Sequence, residues 1–334
     1  MIAYVVPYLN QYGGIQTFAK NTKKSLKKEH RIKLYNWRLP QNKTFFFLKS
    51  KLPKKRNFEI EKAKLIHFWH PLAARGFEKN NFIVSCHGRE ILPLNLRSFE
   101  KKALDNIFQK AKLIHLNSKF TKNLLLKHFP FVDKRKLKVI YPGVSLKNFQ
   151  KKKNRQIIIG TLSRFNPRKN IVNIIKALNI LKSKSKLNFK YYLVGQGMEE
   201  KKIKSELKKS NFFWQYKSSL TELEKANFYS KIDIFVLPTL SLKNDVEGFG
   251  IVFLEASSFG IPVVASQVDG VKEAVWQNQS GIFTDPKSSE KIAESILNLY
   301  KQTKINSQSC QKWAETFSWK KQAQDWKEIY RRLL

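Results

Sequence analysis

The sequence has few cysteines, few acidic residues and no long apolar run. Its two cysteines, Cys86 and Cys310, cannot form a disulfide framework or a cysteine metal site, which indicates a reducing compartment. No stretch approaches the roughly 18 apolar residues of a membrane-spanning helix. The amino terminus has no basic segment followed by a long apolar one, so we expect no signal peptide. These absences predict a cytoplasmic protein.

Acidic residues are outnumbered by basic ones. Against 25 Asp and Glu stand 64 Lys and Arg, which gives a formal net charge of +39 at pH 7. Such an excess predicts a polyanionic partner, namely nucleic acid, an anionic membrane surface or phosphorylated substrates. Residues 1–150 hold more of this excess than the longer remainder, so that part should meet an anionic surface first.

Hydrophobic residues are abundant enough for two domains. They make up 42% of the 334 residues and aromatic residues make up 13%, which excludes a disordered chain. Short β-branched or aromatic runs alternate with helical patterns, as in an α/β fold with parallel sheets. The polar stretch 148–156 is the expected domain boundary. The predicted strands are residues 2–7, 66–69, 82–86, 113–116 and 139–140 in the first domain and 157–162, 191–194, 234–237 and 263–265 in the second.

The most informative segment follows the predicted strand 234–237. After a proline and a polar loop, residues 247–250 (EGFG) open an apolar helix that contains Glu255. Glycines let backbone amides approach a ligand, and a helix start presents unpaired N–H groups, so the segment predicts a diphosphate site. Because carboxylates repel phosphate, Glu247 and Glu255 should hold hydroxyl groups of a sugar and a ribose. The alternative is that both are surface acids.

Other loops at strand ends carry weaker signals. Arg164 and Lys169 follow the strand 157–162 and could clamp one diphosphate, although two cations in so basic a chain can also be incidental. Gly195 and Gly197 follow the strand 191–194 and fit either a ligand loop or an ordinary tight turn. The remaining two candidates are Gly14, between the first strand and a predicted helix at 15–28, and His87, which follows the strand 82–86 and is either functional or structural.

The order and spacing of these motifs resemble the family-4 retaining glycosyltransferases of the GT-B fold, also called glycosyl transferases group 1. The resemblance covers nearly the whole chain and is strongest over residues 157–285. It includes the family's two glutamates with seven residues between them, here Glu247 and Glu255, and a terminal helix at 317–334. Two positions depart from the family pattern: Asp269 stands where a glycine is common, and Glu90 stands where an aspartate is usual.

The resemblance implies two Rossmann-like domains with parallel sheets that face each other across a cleft. The acceptor-side domain would be residues 1–150 plus the C-terminal helix 317–334, which crosses back to it. The nucleotide-sugar domain would be residues 151–316. The implied reaction transfers a sugar with retention of configuration, without a metal or other cofactor, from a UDP- or GDP-linked donor.

The resemblance also implies a role for each candidate residue. Arg164 and Lys169 would neutralise the donor diphosphate in place of a metal ion. Glu247 would hold the donor sugar and Glu255 the ribose, while His87 would contact the sugar near the reaction centre. Close approach of backbone to the donor is implied for Gly14, Gly195, Gly197, Gly248, Phe249, Gly250 and Ile251.

A membrane partner is the last expectation. Residues 45–56 (FFFLKSKLPKKR) run from Phe45 to Arg56 and combine three adjacent phenylalanines with five cations. This composition suits an interfacial segment on anionic lipid, and the alternative is a buried strand with solvated lysines. Many transferases of the resembled family extend lipid-linked glycans, so we expect a lipid-linked or glycan acceptor, a role in polysaccharide or glycolipid biosynthesis, and a peripheral position on the inner face of the cytoplasmic membrane.

Two other functions remain open from the sequence. One is another GT-B enzyme that acts on nucleotide sugars, such as an epimerase. The other is a nucleic-acid-binding protein, which only the charge favours. No zinc-finger spacing, RNP-like strand or basic coiled coil supports that second alternative.

Overall fold

The computed structural model describes residues 1–9, 13–37, 59–146, 156–302 and 304–334. These residues form two compact units. Unit 1 comprises Met1–Gly143 and Trp319–Leu334, and unit 2 comprises Val144–Ser318. Each unit is built on a six-stranded sheet whose described neighbours all pair in parallel, which confirms the predicted α/β class. The boundary expected at 148–156 lies, except for Gln156, outside the described residues and stays a prediction.

The strands are short and mostly buried, as the apolar runs predict. In unit 1 they are β1 (Ile2–Pro7), β2 (Ile32–Trp37), β3 (Leu65–Phe68), β4 (Phe82–Cys86), β5 (Leu113–Leu116) and β6 (Leu137–Val139). In unit 2 they are β7 (Ile157–Leu162), β8 (Phe189–Val194), β9 (Phe213–Lys217), β10 (Ile234–Leu237), β11 (Val263–Ser266) and β12 (Gly281–Thr284). The sheet orders are β2-β1-β3-β4-β5-β6 and β12-β11-β10-β7-β8-β9.

The α-helices of the described residues connect or cover these strands. They are α1 (Gly14–Ser25), α2 (Ser98–Lys110), α3 (Lys119–His128), α4 (Ile171–Lys184), α5 (Glu200–Lys208), α6 (Glu222–Lys231), α7 (Ile251–Ser258), α8 (Val271–Ala274), α9 (Ser289–Lys301), α10 (Ser307–Glu315) and α11 (Trp319–Leu333). None of the helices in the described part of the chain is both long and apolar enough to cross a bilayer.

The terminal helix α11 packs on unit 1, as the resemblance predicts. Trp326 and Tyr330 of α11 are fully buried in one hydrophobic cluster with Phe18 of α1 and Trp69, on one face of the sheet. The opposite face is covered by a second cluster that includes Phe108 of α2. Unit 1 is therefore a three-layer α/β sandwich, and one of its outer layers combines α1 with the terminal helix α11.

A chain of hydrogen bonds crosses the centre of unit 1. Its members are buried polar side chains of four neighbouring strands, β1, β3, β4 and β5, and of α11. The Tyr4 hydroxyl lies 2.6 Å from the Tyr330 hydroxyl, which lies 2.8 Å from His67 Nδ1. Ser85 Oγ then joins His67 Nε2 at 2.6 Å to His115 Nδ1 at 2.8 Å. These contacts satisfy polar groups that have no access to water, and they fix α11 to the sheet.

Candidate active site

The sheet order of unit 2 reverses between β7 and β10. From β7 the chain adds β8 and β9 on one side, and from β10 it adds β11 and β12 on the other. Because β7 and β10 pair in parallel, their carboxyl ends lie side by side and the loops that leave them diverge. Open α/β sheets bind ligands in the crevice outside such a reversal point. The loops at 163–170 and 238–250 both leave from this place.

Four charged side chains from these two loops form one cluster, which we call the Glu247 cluster. Its members are Arg168, Lys169, Asp245 and Glu247. Arg168 Nη1 lies 2.5 Å from Glu247 Oε2, and Lys169 Nζ donates to the same oxygen. Arg168 Nε lies 3.2 Å from Asp245 Oδ1. Each of the four side chains is at most 17% exposed, so the cluster is a buried, charge-balanced network.

Local backbone contacts explain why these side chains converge. Arg168 and Lys169 lie on a 3-10 turn, Pro167–Lys169, in which the backbone N–H of Lys169 donates to the side-chain oxygen of Asn166. The Arg168 carbonyl accepts a hydrogen bond of 2.8 Å from Leu240 N, which ties this turn to the loop after β10. Asn170 follows in the left-handed region, with φ of 58°, and begins α4. Both cations are thereby set on rigid backbone.

The network keeps Glu247 ionised. Burial opposes ionisation of this carboxyl group, but the charges of Lys169 and Arg168 outweigh burial and lower its pKa to about 2. Burial lowers the pKa of the Lys169 ammonium, and Glu247 opposes that shift. Arg168 and Lys169 are both held at one oxygen of Glu247. A diphosphate bound beside them would therefore interact with two cations that are already in position and that also contact Glu247.

The segment from 247 to 250 is held by a second acidic residue, Asp269. Asp269 Oδ2 accepts the Glu247 N–H at 3.0 Å, and Asp269 Oδ1 accepts Ser241 Oγ at 2.7 Å. Asp269 adopts a positive φ of 46° to make these contacts. Gly250 has a φ of 92° at the start of α7, a conformation that favours glycine. The departure from the family pattern at 269 is therefore part of the site and supports its backbone.

The two glycines after β8 pack against the loop that follows β7. A Cβ atom on Gly195 would lie 1.8 Å from the Ser163 carbonyl oxygen, and one on Gly197 would lie 2.4 Å from the Phe165 carbonyl oxygen. Phe165 N also donates to the Gln196 carbonyl at 2.9 Å. The tight-turn alternative thus has direct structural support, and these glycines position the loop that carries Arg164.

Arg164 and Glu255 complete the residues predicted in unit 2. Arg164 is exposed, two residues beyond the end of β7. The cation that binds Glu247 together with Lys169 is Arg168, which the sequence pattern did not single out; its position beside Lys169 was the available signal. Glu255 lies in α7, where its carboxylate accepts hydrogen bonds from Lys225 and Tyr229 of α6.

In unit 1, His87 lies directly after β4 with its backbone held by an acid. Glu90 Oε1 accepts the backbone N–H of His87 and lies 3.3 Å from Gly88 N, so the longer acid at 90 still caps this turn. His87 Nε2 lies 3.2 Å from the Trp69 carbonyl oxygen. Burial lowers the pKa of His87 to about 3, and the imidazole is neutral at pH 7. A neutral imidazole can hydrogen-bond a sugar hydroxyl without adding charge.

Gly14, the other candidate of unit 1, is the first residue of α1. Apart from its chain neighbours and the backbone of its own helix, no described atom lies within 4 Å of the position that a Cβ atom would take there. The sheet order of unit 1 reverses between β1 and β3, so this helix start also lies at a reversal point. Among the described residues of both units, no group of three or more His, Cys, Asp or Glu is arranged to hold a metal ion.

Comparison with known proteins decides the family. The family described as glycosyl transferases group 1 matches residues 145–316, and the one described as glycosyltransferase family 4 matches residues 12–148. The chain belongs to the glycosyl transferases group 1. This confirms the predicted enzyme class, a GT-B glycosyltransferase that uses a nucleotide-sugar donor.

Two curated relatives illustrate the range of this family. An uncharacterized glycosyltransferase of Methanocaldococcus jannaschii is 26% identical over 280 residues, which cover 77% of this chain and 70% of the relative. A GDP-mannose-dependent alpha-(1-6)-phosphatidylinositol monomannoside mannosyltransferase of Mycobacterium tuberculosis is 42% identical over 69 residues. That second match covers only 20% of this chain and 18% of the relative.

Solved structures with the same fold include two bacterial proteins. Anabaena HepE in complex with UDP and glucose superposes with a TM-score of 0.78 at 18% identity, and 99% of each chain is covered. WaaG, a glycosyltransferase involved in lipopolysaccharide biosynthesis, superposes with a TM-score of 0.68 at 15% identity, covering 97% of this chain and 95% of WaaG. At these identities the likeness establishes the fold of this glycosyltransferase.

Proposed function

We propose that this glycosyltransferase moves a hexose, with retention of anomeric configuration, from a UDP- or GDP-linked donor to a lipid-linked or cell-envelope glycan. The Glu247 cluster carries the proposal: buried cations and a sugar-binding carboxylate meet at the start of α7, beside the reversal point of a Rossmann-like sheet. The acceptor class is supported by relatives whose names specify a phosphatidylinositol mannoside and lipopolysaccharide.

In the proposed reaction the protein acts mainly through fixed positive charge. Lys169 and Arg164 neutralise the diphosphate as it leaves, with the N–H groups at the start of α7 aimed at the same charge. Glu247 holds sugar hydroxyls, Glu255 holds the ribose, and neutral His87 contacts the transferred sugar. The departing phosphate takes the acceptor proton on the same face, so the side chains need not supply a general base.

A screen of UDP- and GDP-sugars by thermal shift tests the donor assignment. The matching nucleotide sugar should raise the melting temperature by mass action at concentrations far above its dissociation constant. An NMR assignment of the product's anomeric configuration then tests retention. Product with inverted configuration, or no stabilisation by any common nucleotide sugar, would contradict the proposal.

Transfer should survive excess chelator. Since Arg164, Lys169 and a helix start take the place of a cation, removal of divalent metal should leave turnover within about twofold of the untreated rate. The measurement is initial rate in EDTA, with magnesium or manganese added back as the control. Loss of activity in EDTA with recovery on metal addition would argue for a metal-dependent mechanism.

Unit 1 should bind anionic membranes reversibly. The segment 45–56 lies outside the described residues, but Lys24 in the last turn of α1 and Lys27 and Lys28 in the turn that follows it are exposed and add to the positive surface of this unit. Each cation near an anionic bilayer contributes about 1 kcal/mol and is screened by salt. Sedimentation with anionic vesicles should therefore fall as salt rises, leaving a salt-resistant fraction that the aromatic residues supply.

The controls separate charge from aromatic insertion. Serine in place of Phe45, Phe46 and Phe47 should abolish the salt-resistant fraction alone. Serine at Lys24, Lys27 and Lys28 should weaken low-salt binding, whereas serine at three exposed lysines of α5 in unit 2, namely Lys201, Lys202 and Lys208, should change little. Equal binding to neutral and anionic vesicles would assign the positive charge to another partner.

A further inference from the structure

Two side chains of α6 hold the carboxylate of Glu255. Lys225 Nζ donates to Glu255 Oε1 over 2.9 Å, and the Tyr229 hydroxyl donates to Oε2 over 2.9 Å. The Glu255 side chain is 16% exposed and that of Lys225 is 22% exposed, so both charged groups are largely shielded from water but remain partly accessible. Each carboxylate oxygen of Glu255 thus has one fixed donor.

The two donors are themselves fixed in place. Lys225 and Tyr229 lie four residues apart on α6, so their side chains leave the same face of the helix. The Tyr229 ring is buried and stacks on Phe259 with 5.5 Å between ring centroids. Burial, reinforced by Glu255, raises the pKa of the Tyr229 hydroxyl, which remains a donor at neutral pH. Glu222 lies 3.3 Å from Lys225 Nζ and gives the ammonium a second anchor.

The remaining capacity of Glu255 matches a particular ligand group. A carboxylate has about four lone-pair sites, two on each oxygen. Lys225 and Tyr229 occupy one on each oxygen, which leaves one acceptor site on each. Two acceptor sites on one rigid carboxylate fit two adjacent hydroxyl donors, and the 2′- and 3′-hydroxyls of a ribose are such a pair.

We propose that Lys225 and Tyr229 are positioning residues that turn Glu255 toward both ribose hydroxyls and make the enzyme select ribonucleotides over 2′-deoxyribonucleotides. The inference rests on the proposed function, in which Glu255 binds the ribose. A nucleotide that lacks the 2′-hydroxyl leaves one hydrogen-bond acceptor site of the shielded Glu255 carboxylate unfilled. That is the situation in which a missing hydrogen bond costs the most affinity.

Isothermal titration calorimetry tests the inference with UDP or GDP, whichever binds the wild-type protein more tightly, and its 2′-deoxy counterpart. The wild-type protein should prefer the ribonucleotide by about tenfold, the scale of a hydrogen bond to a charged group. Lys225→Met and Tyr229→Phe should each reduce this preference to about twofold by weakening ribonucleotide binding alone. Lys225→Arg keeps a donor and should retain more of the preference. Lys208→Met, at an exposed lysine of α5, should leave it unchanged.

Each other result overturns a defined part of the argument. Equal affinity losses for both nucleotides in Lys225→Met and Tyr229→Phe would mean that these residues only maintain the fold. A wild-type protein that binds the ribonucleotide and its 2′-deoxy counterpart equally well would exclude selection at this site. Glu255→Gln separates the two proposals. If Glu255→Gln keeps the full preference, Glu255 does not bind the ribose and the proposed role of that residue fails. If it loses the preference while both α6 variants keep it, the positioning inference alone fails.

Discussion

Glu247→Ala and Lys169→Ala should each lower turnover by at least ~100-fold, the scale for the loss of one preorganised electrostatic contact in an active site. In the structure the two residues are direct partners, so each change removes a proposed contact with the nucleotide sugar and also removes one charged partner of the other side chain. Lys169→Ala leaves Arg168 bound to Glu247. Glu247→Ala leaves two buried cations with Asp245 as their neighbouring acid, and it should also lower thermal stability.

The measurement is the initial rate with saturating donor, together with a melting curve for each variant. The matched control is the exposed pair Glu206 and Lys209 of unit 2, an ion pair of 3.2 Å whose alanine variants should keep normal turnover. Glu247→Gln keeps the size of the side chain and removes its charge, so it shows whether the charge of Glu247 or its volume is needed, and the melting curves separate lost activity from lost stability. Near-wild-type rates in both Glu247→Ala and Lys169→Ala would contradict the proposal that the nucleotide sugar binds at the Glu247 cluster.

Strands with both faces buried were predictable, and strands with an exposed face were not. β4, β5 and β10 are buried throughout, and their apolar runs gave their bounds in full. β2 and β9 are edge strands that carry exposed residues, Lys33 in β2 and three alternating positions including Lys217 in β9, among buried or half-buried ones. Short mixed segments of this kind also fit loops or helices, so tertiary pairing decides their structure.

The candidate site divides in the same way. Lys169 and Glu247 stood out because each lies in a loop after a strand, a place that the chain order alone identifies. The roles of Arg168 and Asp269 could not be predicted in this way, because they depend on contacts between segments that are distant in sequence. Asp269 accepts the backbone N–H of Glu247, 22 residues earlier in the chain, and its backbone adopts a positive φ. Lys225, likewise, meets Glu255 only because α6 packs beside α7. Sequence patterns locate the loops, and folding selects which charges meet.

Mild acid should unfold unit 1 while unit 2 stays folded. All six histidines of the chain lie in unit 1. Burial lowers the pKa of His87 and His115 to about 3 and that of His70 to about 4, and it also lowers the pKa of His67. In the unfolded chain each group titrates near 6.5. Between these values the unfolded state binds more protons, so stability is full above about pH 6.5 and is lost as the pH falls.

The expected loss is large because four groups act in the same direction. For the three histidines whose folded pKa is about 3 or 4, the loss from pH 6.5 to pH 5 amounts to about 5 kcal/mol, comparable to the whole stability of an ordinary domain, and His67 adds to it in the same direction. Hydrogen exchange at pH 7.5, 6.5 and 5.5, after correction for intrinsic rates, should show protection falling in peptides of unit 1 and not in those of unit 2.

His115→Gln should reduce the slope of unfolding free energy against pH by about a quarter, since one of four groups is removed. His128→Gln, at a histidine with much less burial, should leave the slope nearly unchanged. Protection that falls equally in both units would assign the acid effect to the repulsion of a highly positive chain instead of to the buried histidines.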